Sequence, residues 1–172
     1  EIGMLKQNTD YNAALLEKVI TCNDLAGLSS SEKVEHIKNI CLSLNLNPLT
    51  KPIQLLKFNG KEIAYFTKDA TEQLRKLNNV SINKIEKTIE YDICIITVYA
   101  QTPDGRKDAS SGATNIGGLK GEALCNAILK AETKAKRRVT LSICGLGMID
   151  ESEADSIAGS KKHDLSVIPE KI

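Results

Sequence analysis

One long segment, residues 119–150, limits what this chain can fold into, because its pattern fits a single helix with two different faces. At about 100° per residue, its main apolar residues fall on one stripe, as in a helix that packs on a core. They are Leu124, Ile128, Ala131, Ala135 and Val139. The alanines favour close packing against a sheet, and Gly145 and Gly147 predict the end of the helix.

The same helix carries a second, basic stripe. Lys130, Lys134 and Arg137 lie about 135° from the apolar stripe, and Arg138 borders it, so that its stem can lie on the core. Five cations and one acid, Glu132, stand between residues 130 and 138. A basic face with an apolar back suits a phosphate backbone, because each bound cation displaces a condensed counterion. A solvated surface helix has the same pattern, so the stripe alone does not decide between a phosphate-binding face and a solvated one.

Length and composition indicate one domain with almost no net charge. The 172 residues suffice for a core, which must be aliphatic because there are two Phe, four Tyr and no Trp. The formal net charge is +1, so any nucleic-acid binding needs a local basic groove. We expect a domain at residues 1–158 and a polar tail at residues 159–172.

Cysteine usage and hydropathy predict a cytosolic protein. The five cysteines contain no C-x-x-C pair and read as reduced core thiols. No apolar run approaches the roughly 18 residues of a membrane span, and no signal peptide is visible. Cytoplasmic localisation without membrane contact is therefore expected.

Local signals predict several shorter elements before the basic helix. Residues 11–20 could form a short helix, and Ser29 and Glu32 offer a capping box for the next one. Residues 53–58 and 61–66 flank Asn59-Gly60, a strong hairpin signal. Thr67 can cap a third helix.

The segment after the third helix has the composition of strands. Residues 80–100 are rich in β-branched residues, with residues 91–99 as an evident buried strand, and Asp104-Gly105 turns that strand back along residues 106–113. A short acidic helix is expected after Asp150. The predicted fold class is α+β, in which a small antiparallel sheet of hairpins is packed by the long basic helix, with additional helices. Its sheet edges are unpaired, so we expect neighbouring subunits to cover them in an oligomer.

The chemistry-bearing residues favour a binding protein over an enzyme. Residues 112–117 match half of a phosphate-binding loop, but Gly118 and Leu119 replace the required Lys and Ser or Thr. His36 and His163 have no partners at metal-ligand spacing. The acids at residues 150–155 could hold magnesium, although such runs more often start a helix. We predict no catalytic residue and no cofactor, with Mg²⁺ only as a DNA counterion.

The six residues 46–51 and the segment from the basic helix to residue 157 together resemble the RecT and lambda Beta family of phage recombinases. The first is Leu-Asn-Pro-Leu-Thr-Lys at residues 46–51, between a helix and a strand. The second is the basic helix with the glycine-containing turn and acidic segment that follow it, at residues 145–157. The order of these segments and the hairpin of residues 91–113 between them also agree with the family. The resemblance spans about residues 29–157.

The family resemblance implies a protein that binds single-stranded DNA and anneals it to a complementary strand without ATP, in rings or helical filaments. It implies that the cations of the basic helix bind the DNA backbone and that residues 47–51 line the same groove or a subunit contact. The full set of candidate DNA-binding residues is Asn47, Thr50, Lys51, Arg106, Lys107, Lys120, Lys130, Lys134, Lys136, Arg137 and Arg138.

The expected partners follow from the same resemblance. They are single-stranded DNA, the annealed duplex, further copies of this chain, a phage exonuclease and a host single-strand-binding protein, in a bacterial cell that carries the phage or prophage. The chain departs from the family between residues 106 and 120, where it is shorter and less basic. We expect no C-terminal domain of the kind that recruits those two proteins. The alternatives are an RNA-binding or structural phage protein and a magnesium-dependent nuclease that uses Asp150, Glu151 and Glu153.

Overall fold

The computed structural model describes residues 11–22, 24–150, 154 and 161–162. Four helices are described: α1 (Ala13–Cys22), α2 (Ser30–Ser43), α3 (Lys68–Leu77) and α4 (Gly121–Ile143). The strands are β1 (Ile53–Phe58), β2 (Lys61–Phe66), β3 (Ser81–Glu90), β4 (Ile93–Gln101), β5 (Lys107–Asn115) and β6 (Lys161–Lys162). The α+β class is confirmed. The expected helix after Asp150 and most of the expected tail lie outside the described residues.

The capping box predicted for α2 is present. The Ser29 side chain accepts a hydrogen bond from the Glu32 backbone N–H at 3.2 Å, and the Ser29 N–H donates to Glu32 Oε2 at 2.8 Å. Two of the amides left unpaired at a helix start are thereby satisfied. Thr67 precedes α3 as expected, but its hydroxyl donates to the Pro52 carbonyl, so no side chain caps that helix.

The change Ser29→Ala is expected to lower the free energy of unfolding by about 1 kcal/mol, because one end of the capping box is lost. Chemical denaturation followed by circular dichroism measures this. Ser30→Ala is the control, since Ser30 is already inside α2 and its change should stay within about 0.5 kcal/mol. Equal losses for both variants would contradict the role assigned to the cap.

The first hairpin matches its sequence signal. Strands β1 and β2 pair from Ile53 with Phe66 to Phe58 with Lys61, and Asn59 and Gly60 both have positive φ, at 49° and 76°. This is the backbone of a type I′ turn, which Asn-Gly favours. The short strand β6 pairs with the other edge of β1 and makes a sheet in the order β2-β1-β6.

The remaining strands form a separate sheet, so the hairpins divide into two sheets instead of the single one expected. Strand order is β3-β4-β5, antiparallel throughout. Residues 80–100, which lacked an evident turn signal, reverse at Tyr91 and Asp92, whose φ angles are 47° and 64°. The Asp92 carbonyl accepts a 2.7 Å hydrogen bond from the Ile116 N–H, which holds this turn against the segment after β5.

The change Tyr91→Asn is expected to raise the free energy of unfolding by about 1 kcal/mol, because a left-handed backbone strains Tyr more than Asn. The Tyr91 side chain is 98% exposed, so little packing is lost. Thermal unfolding should shift upward by about 2–4 °C. Tyr91→Phe, which keeps the strain, should not change the midpoint. A lower midpoint for Tyr91→Asn would show that the aromatic ring stabilises the fold.

Helix α4 joins the two halves of the molecule. Its inner residues Ala131, Ala135 and Val139 are buried against Cys94, Ile96, Val98 and Ala100 of β4, as the apolar stripe predicted. Leu141, near its end, instead enters a core with residues of α2, α3, β1 and β2. The helix ends at Ile143, and Gly145 follows with φ 71°. Among the described residues, no helix is long and apolar enough to cross a membrane.

The cysteines are all free, but the expectation of core thiols holds for only some of them. Cys41 and Cys94 are buried, and burial raises the pKa of the Cys41 thiol. Cys144 is half-buried. Cys22 and Cys125 are exposed, because they lie on the outer faces of α1 and α4.

Candidate nucleic-acid interface

Helix α4 runs antiparallel to β5, and three contacts hold it there. The Ser142 hydroxyl donates to Asp108 near the start of the strand, and the Thr114 hydroxyl donates to the Ala127 carbonyl at 2.9 Å near its end. Between them, Gly112 lies directly beneath the α4 backbone. The helix is therefore held at both ends and in the middle, and the side chains on its outer surface have a rigid base.

Gly112 allows this close approach. A Cβ atom on Gly112 would lie 2.3 Å from the Ala131 carbonyl oxygen, 2.7 Å from the Ala135 nitrogen and 2.8 Å from Lys134 Cβ. Gly112 is buried in a strand, so the half-match to a phosphate-binding loop at residues 112–117 reflects helix packing. The sequence contained the signal, a glycine among small residues in a strand, but its partner on α4 could not be read from it.

The basic stripe lies on the flank of α4 beside β5. Lys130 is exposed, whereas Lys134 and Arg137 are half-buried, so their stems lie on the protein surface and their charges reach solvent. At about 1.5 Å per residue the stripe is roughly 10 Å long. None of the ion pairs formed among the described residues involves these three cations or the exposed Arg138. Their charges remain available to a polyanion.

Lys136 does not belong to that stripe. It forms an ion pair with Glu132, at 2.5 Å between Nζ and Oε1, one turn earlier on α4. On a helical wheel, Lys136 lies about 160° from Lys134. Lys120 stands at the N-cap of α4, about 15 Å along the axis from Lys130, and is exposed. The structure thus places these two candidates on α4 but away from the stripe.

Arg106 and Lys107 lie at the other end of α4. Arg106 lines a cleft with Cys144 and residues of the β4–β5 turn. Burial raises the pKa of the Cys144 thiol, and the Arg106 charge opposes that shift in part. Lys107 precedes Asp108, which faces α4, so the Lys107 side chain points to the opposite, open face of the sheet. Arg106 can therefore extend the basic surface past the end of α4, whereas Lys107 cannot.

The loop of residues 47–51 is held by hydrogen bonds to its own backbone and to α3. The Asn47 side chain accepts from the Leu49 N–H at 3.0 Å, and the Thr50 hydroxyl donates to the Asn47 carbonyl at 2.7 Å. Gln73 of α3 donates to Thr50 at 2.9 Å. Lys51 is exposed with φ 51°, at the end of a short 3-10 helix. The Asn47 and Thr50 side chains shape the loop, and only Lys51 presents a charge.

An aromatic and charged cluster on the open face of the β3–β4–β5 sheet was not predicted. The Tyr99 hydroxyl donates to Glu86 at 2.7 Å, and Lys84 pairs with Glu86 and lies 5.4 Å from the Tyr99 ring centre. The hydrogen bond to Glu86 raises the pKa of Tyr99, and the contact with Lys84 lowers the pKa of Glu86. The charges of Lys84 and Glu86 cancel, so this face offers less to a polyanion than α4 does.

The other candidate chemistry gains no support from its surroundings. Burial lowers the pKa of His36, which lies beside Leu15, Val19 and Ile40. Asp150 is fully buried, and the two acids expected beside it in a magnesium site lie outside the described residues. Within the described part of the chain, no group of three metal-ligating side chains occurs.

No protein-family model matches this chain, and no curated protein matches it either.

Proposed function

We propose that this chain is an ATP-independent single-stranded DNA-binding and annealing protein of the RecT and Beta type. The observation that carries the proposal is the basic stripe of Lys130, Lys134 and Arg137 on a helix that the sheet holds rigidly. Cations with no acidic partner attract phosphates and release counterions, and a rigid base limits the entropy lost on binding. The resemblance of residues 46–51, which precede the first hairpin, to the RecT and Beta family is a second support for the proposal.

In the mechanism we propose, the protein contacts only the DNA backbone, and base pairing between the two strands provides the sequence specificity. The stripe neutralises phosphates of one strand and holds it extended with its bases outward. A second strand then forms Watson–Crick pairs with these bases. The chain has few aromatic residues, which favours backbone contacts over base stacking. No step requires nucleotide hydrolysis, and Mg²⁺ serves only as a counterion.

The proposal extends to the biological setting. It places the protein in the cytoplasm of a bacterial host, encoded by a phage or prophage, with a ring or helical oligomer of this chain as the annealing form. A phage exonuclease would supply single strands, and the host single-strand-binding protein would be displaced from them.

Annealing of two complementary oligonucleotides, one carrying a fluorophore and one a quencher, tests the function. The strands are added one after the other to the protein without ATP, and native mass is recorded on the same mixture. We expect annealing at least tenfold faster than that of the free strands, with a DNA-dependent oligomer.

Matched oligonucleotides separate this function from its rivals. An RNA of the same sequence should bind no better than the DNA, and a clear preference for RNA would replace this proposal with RNA binding. Labelled DNA ends should stay intact over time with Mg²⁺. Binding without faster annealing would reduce the protein to a nucleic-acid binder.

A further inference from the structure

Within the described part of the chain, strand β3 is an edge strand that pairs with β4 on one side only. Two of its apolar side chains are largely exposed. Ile85 and Ile89 stand opposite Val98 and Cys94, which are buried under α4, so all four side chains are on the same face. Helix α4 packs mainly over β4 and β5. Ile85 and Ile89 remain 44% and 53% exposed.

The other residues of β3 alternate between the two faces. Lys87 lies between the two isoleucines on the α4 side, and Lys84, Glu86, Thr88 and Glu90 lie on the open side. An edge of this length with exposed aliphatic residues invites pairing with another strand. The charges along the open side, with Lys84 at one end and Glu90 at the other, then restrict which strand fits.

We propose that β3 pairs with β3 of a second copy of this chain, antiparallel about a two-fold axis at Lys87. In this register Ile85 stands opposite Ile89 of the second copy, and Lys84 stands opposite Glu90 of the second copy. The symmetry repeats both pairs, so the contact contains two apolar pairs and two oppositely charged pairs. It uses residues 84–90 and avoids the irregularity between Ile82 and Lys84.

Neighbouring registers are less complementary. An axis at Glu86 places two carboxylates opposite each other and sets each Ile85 against Lys87. An axis at Thr88 sets Glu86 against Glu90 and each Ile89 against Lys87. An axis at Ile85 extends the pairing through the irregular residue Asn83 and leaves Ile89 opposite Ser81. In the proposed register only the two Lys87 residues meet as like charges, and their flexible stems can carry them into solvent.

This pairing would join two three-stranded sheets into one of six strands. It would bury the isoleucines of both copies, and it leaves β5 and the basic stripe, at the opposite edge of the sheet, exposed. The inference does not depend on DNA binding, and it is tested in the absence of nucleic acid.

Disulfide trapping tests the axis in the full chain. The exposed cysteines are first removed by Cys22→Ser and Cys125→Ser. Directly opposed residues of antiparallel strands have Cα atoms about 4.5–5.5 Å apart, within the range of a disulfide. Lys87→Cys in that background should therefore oxidise to a covalent dimer. Glu86→Cys should do so at least tenfold more slowly, because it stands opposite Thr88 of the second copy and not opposite the second introduced cysteine.

The oligomeric state of the unmodified chain is measured by analytical ultracentrifugation across a range of protein concentrations. We expect a monomer–dimer equilibrium that Ile89→Lys shifts to monomer by at least tenfold in the association constant. Leu129→Lys, which changes another exposed aliphatic residue outside the edge, should leave it unchanged. A monomer at all concentrations, an oligomer that Lys87→Cys does not cross-link, or faster cross-linking through Glu86→Cys would each overturn the proposal.

Discussion

Replacing Lys134 and Arg137 together with alanine is expected to weaken binding of single-stranded DNA about 30-fold near physiological salt. Each surface cation in contact with a phosphate contributes about 1 kcal/mol, and 1.4 kcal/mol corresponds to a factor of ten. The loss should be similar for every DNA sequence, because these residues contact only the backbone. The slope of log affinity against log salt concentration should flatten by about 1.4, which is two phosphates at about 0.7 each.

Fluorescence anisotropy with two unrelated oligonucleotides at several salt concentrations measures both quantities. The control removes the same net charge elsewhere, through Lys136→Ala and Lys38→Ala. Lys136 is paired with Glu132, and Lys38 is an exposed residue of α2. The control should change affinity less than threefold. Both variants introduce alanine into helices, which preserves the helical backbone. Equal losses in the two variants would show that binding follows net charge and not the basic stripe.

Replacing Gly112 with alanine is expected to lower the free energy of unfolding by about 3 kcal/mol or more. The added Cβ would overlap the Ala131 carbonyl oxygen and the Ala135 nitrogen, which are backbone atoms of α4. Backbone atoms cannot rotate away as a side-chain tip can, so the helix must shift from β5 and lose part of its packing. Denaturant unfolding by circular dichroism provides the measurement.

The matched control for Gly112 is its neighbour Ala113, whose side chain points to the open face of the sheet and is exposed. Ala113→Val should change stability by no more than about 0.5 kcal/mol, because it has room and valine suits a strand. If Gly112→Ala left stability unchanged and altered affinity for phosphate-containing ligands, the glycine would belong to an anion-binding loop after all.

The elements that the sequence predicted correctly depend on interactions between near neighbours. The capping box of Ser29 and Glu32 and the turn at Asn59-Gly60 each involve residues within four positions of one another. The apolar stripe of α4 repeats every three to four residues, so it predicts which face of the helix is buried without naming its partner. For such features, the residue types and their spacing carry enough physical information.

The candidate site could be predicted only as far as such local patterns reach. The stripe of Lys130, Lys134 and Arg137 followed from helical periodicity. Lys136 lies about 160° from Lys134 around the helix, and its ion pair with Glu132 competes with any ligand. The loop at residues 47–51 was grouped with the stripe by resemblance alone, and its hydrogen bonds run to its own backbone and to α3.

Contacts between distant residues decided the rest of the architecture. Tyr91 is a poor residue for a left-handed turn position, and the reversal at Tyr91 and Asp92 is stabilised by the pairing of β3 with β4 and by the hydrogen bond from Ile116. Helix α4 connects the two sheets, since most of its buried residues pack on the β3–β4–β5 sheet whereas Leu141 packs with residues of β1 and β2. By itself, then, the sequence determined the helices, the first hairpin and the basic face. The tertiary structure decided what that face stands beside, because such packing depends on residues far apart in the chain.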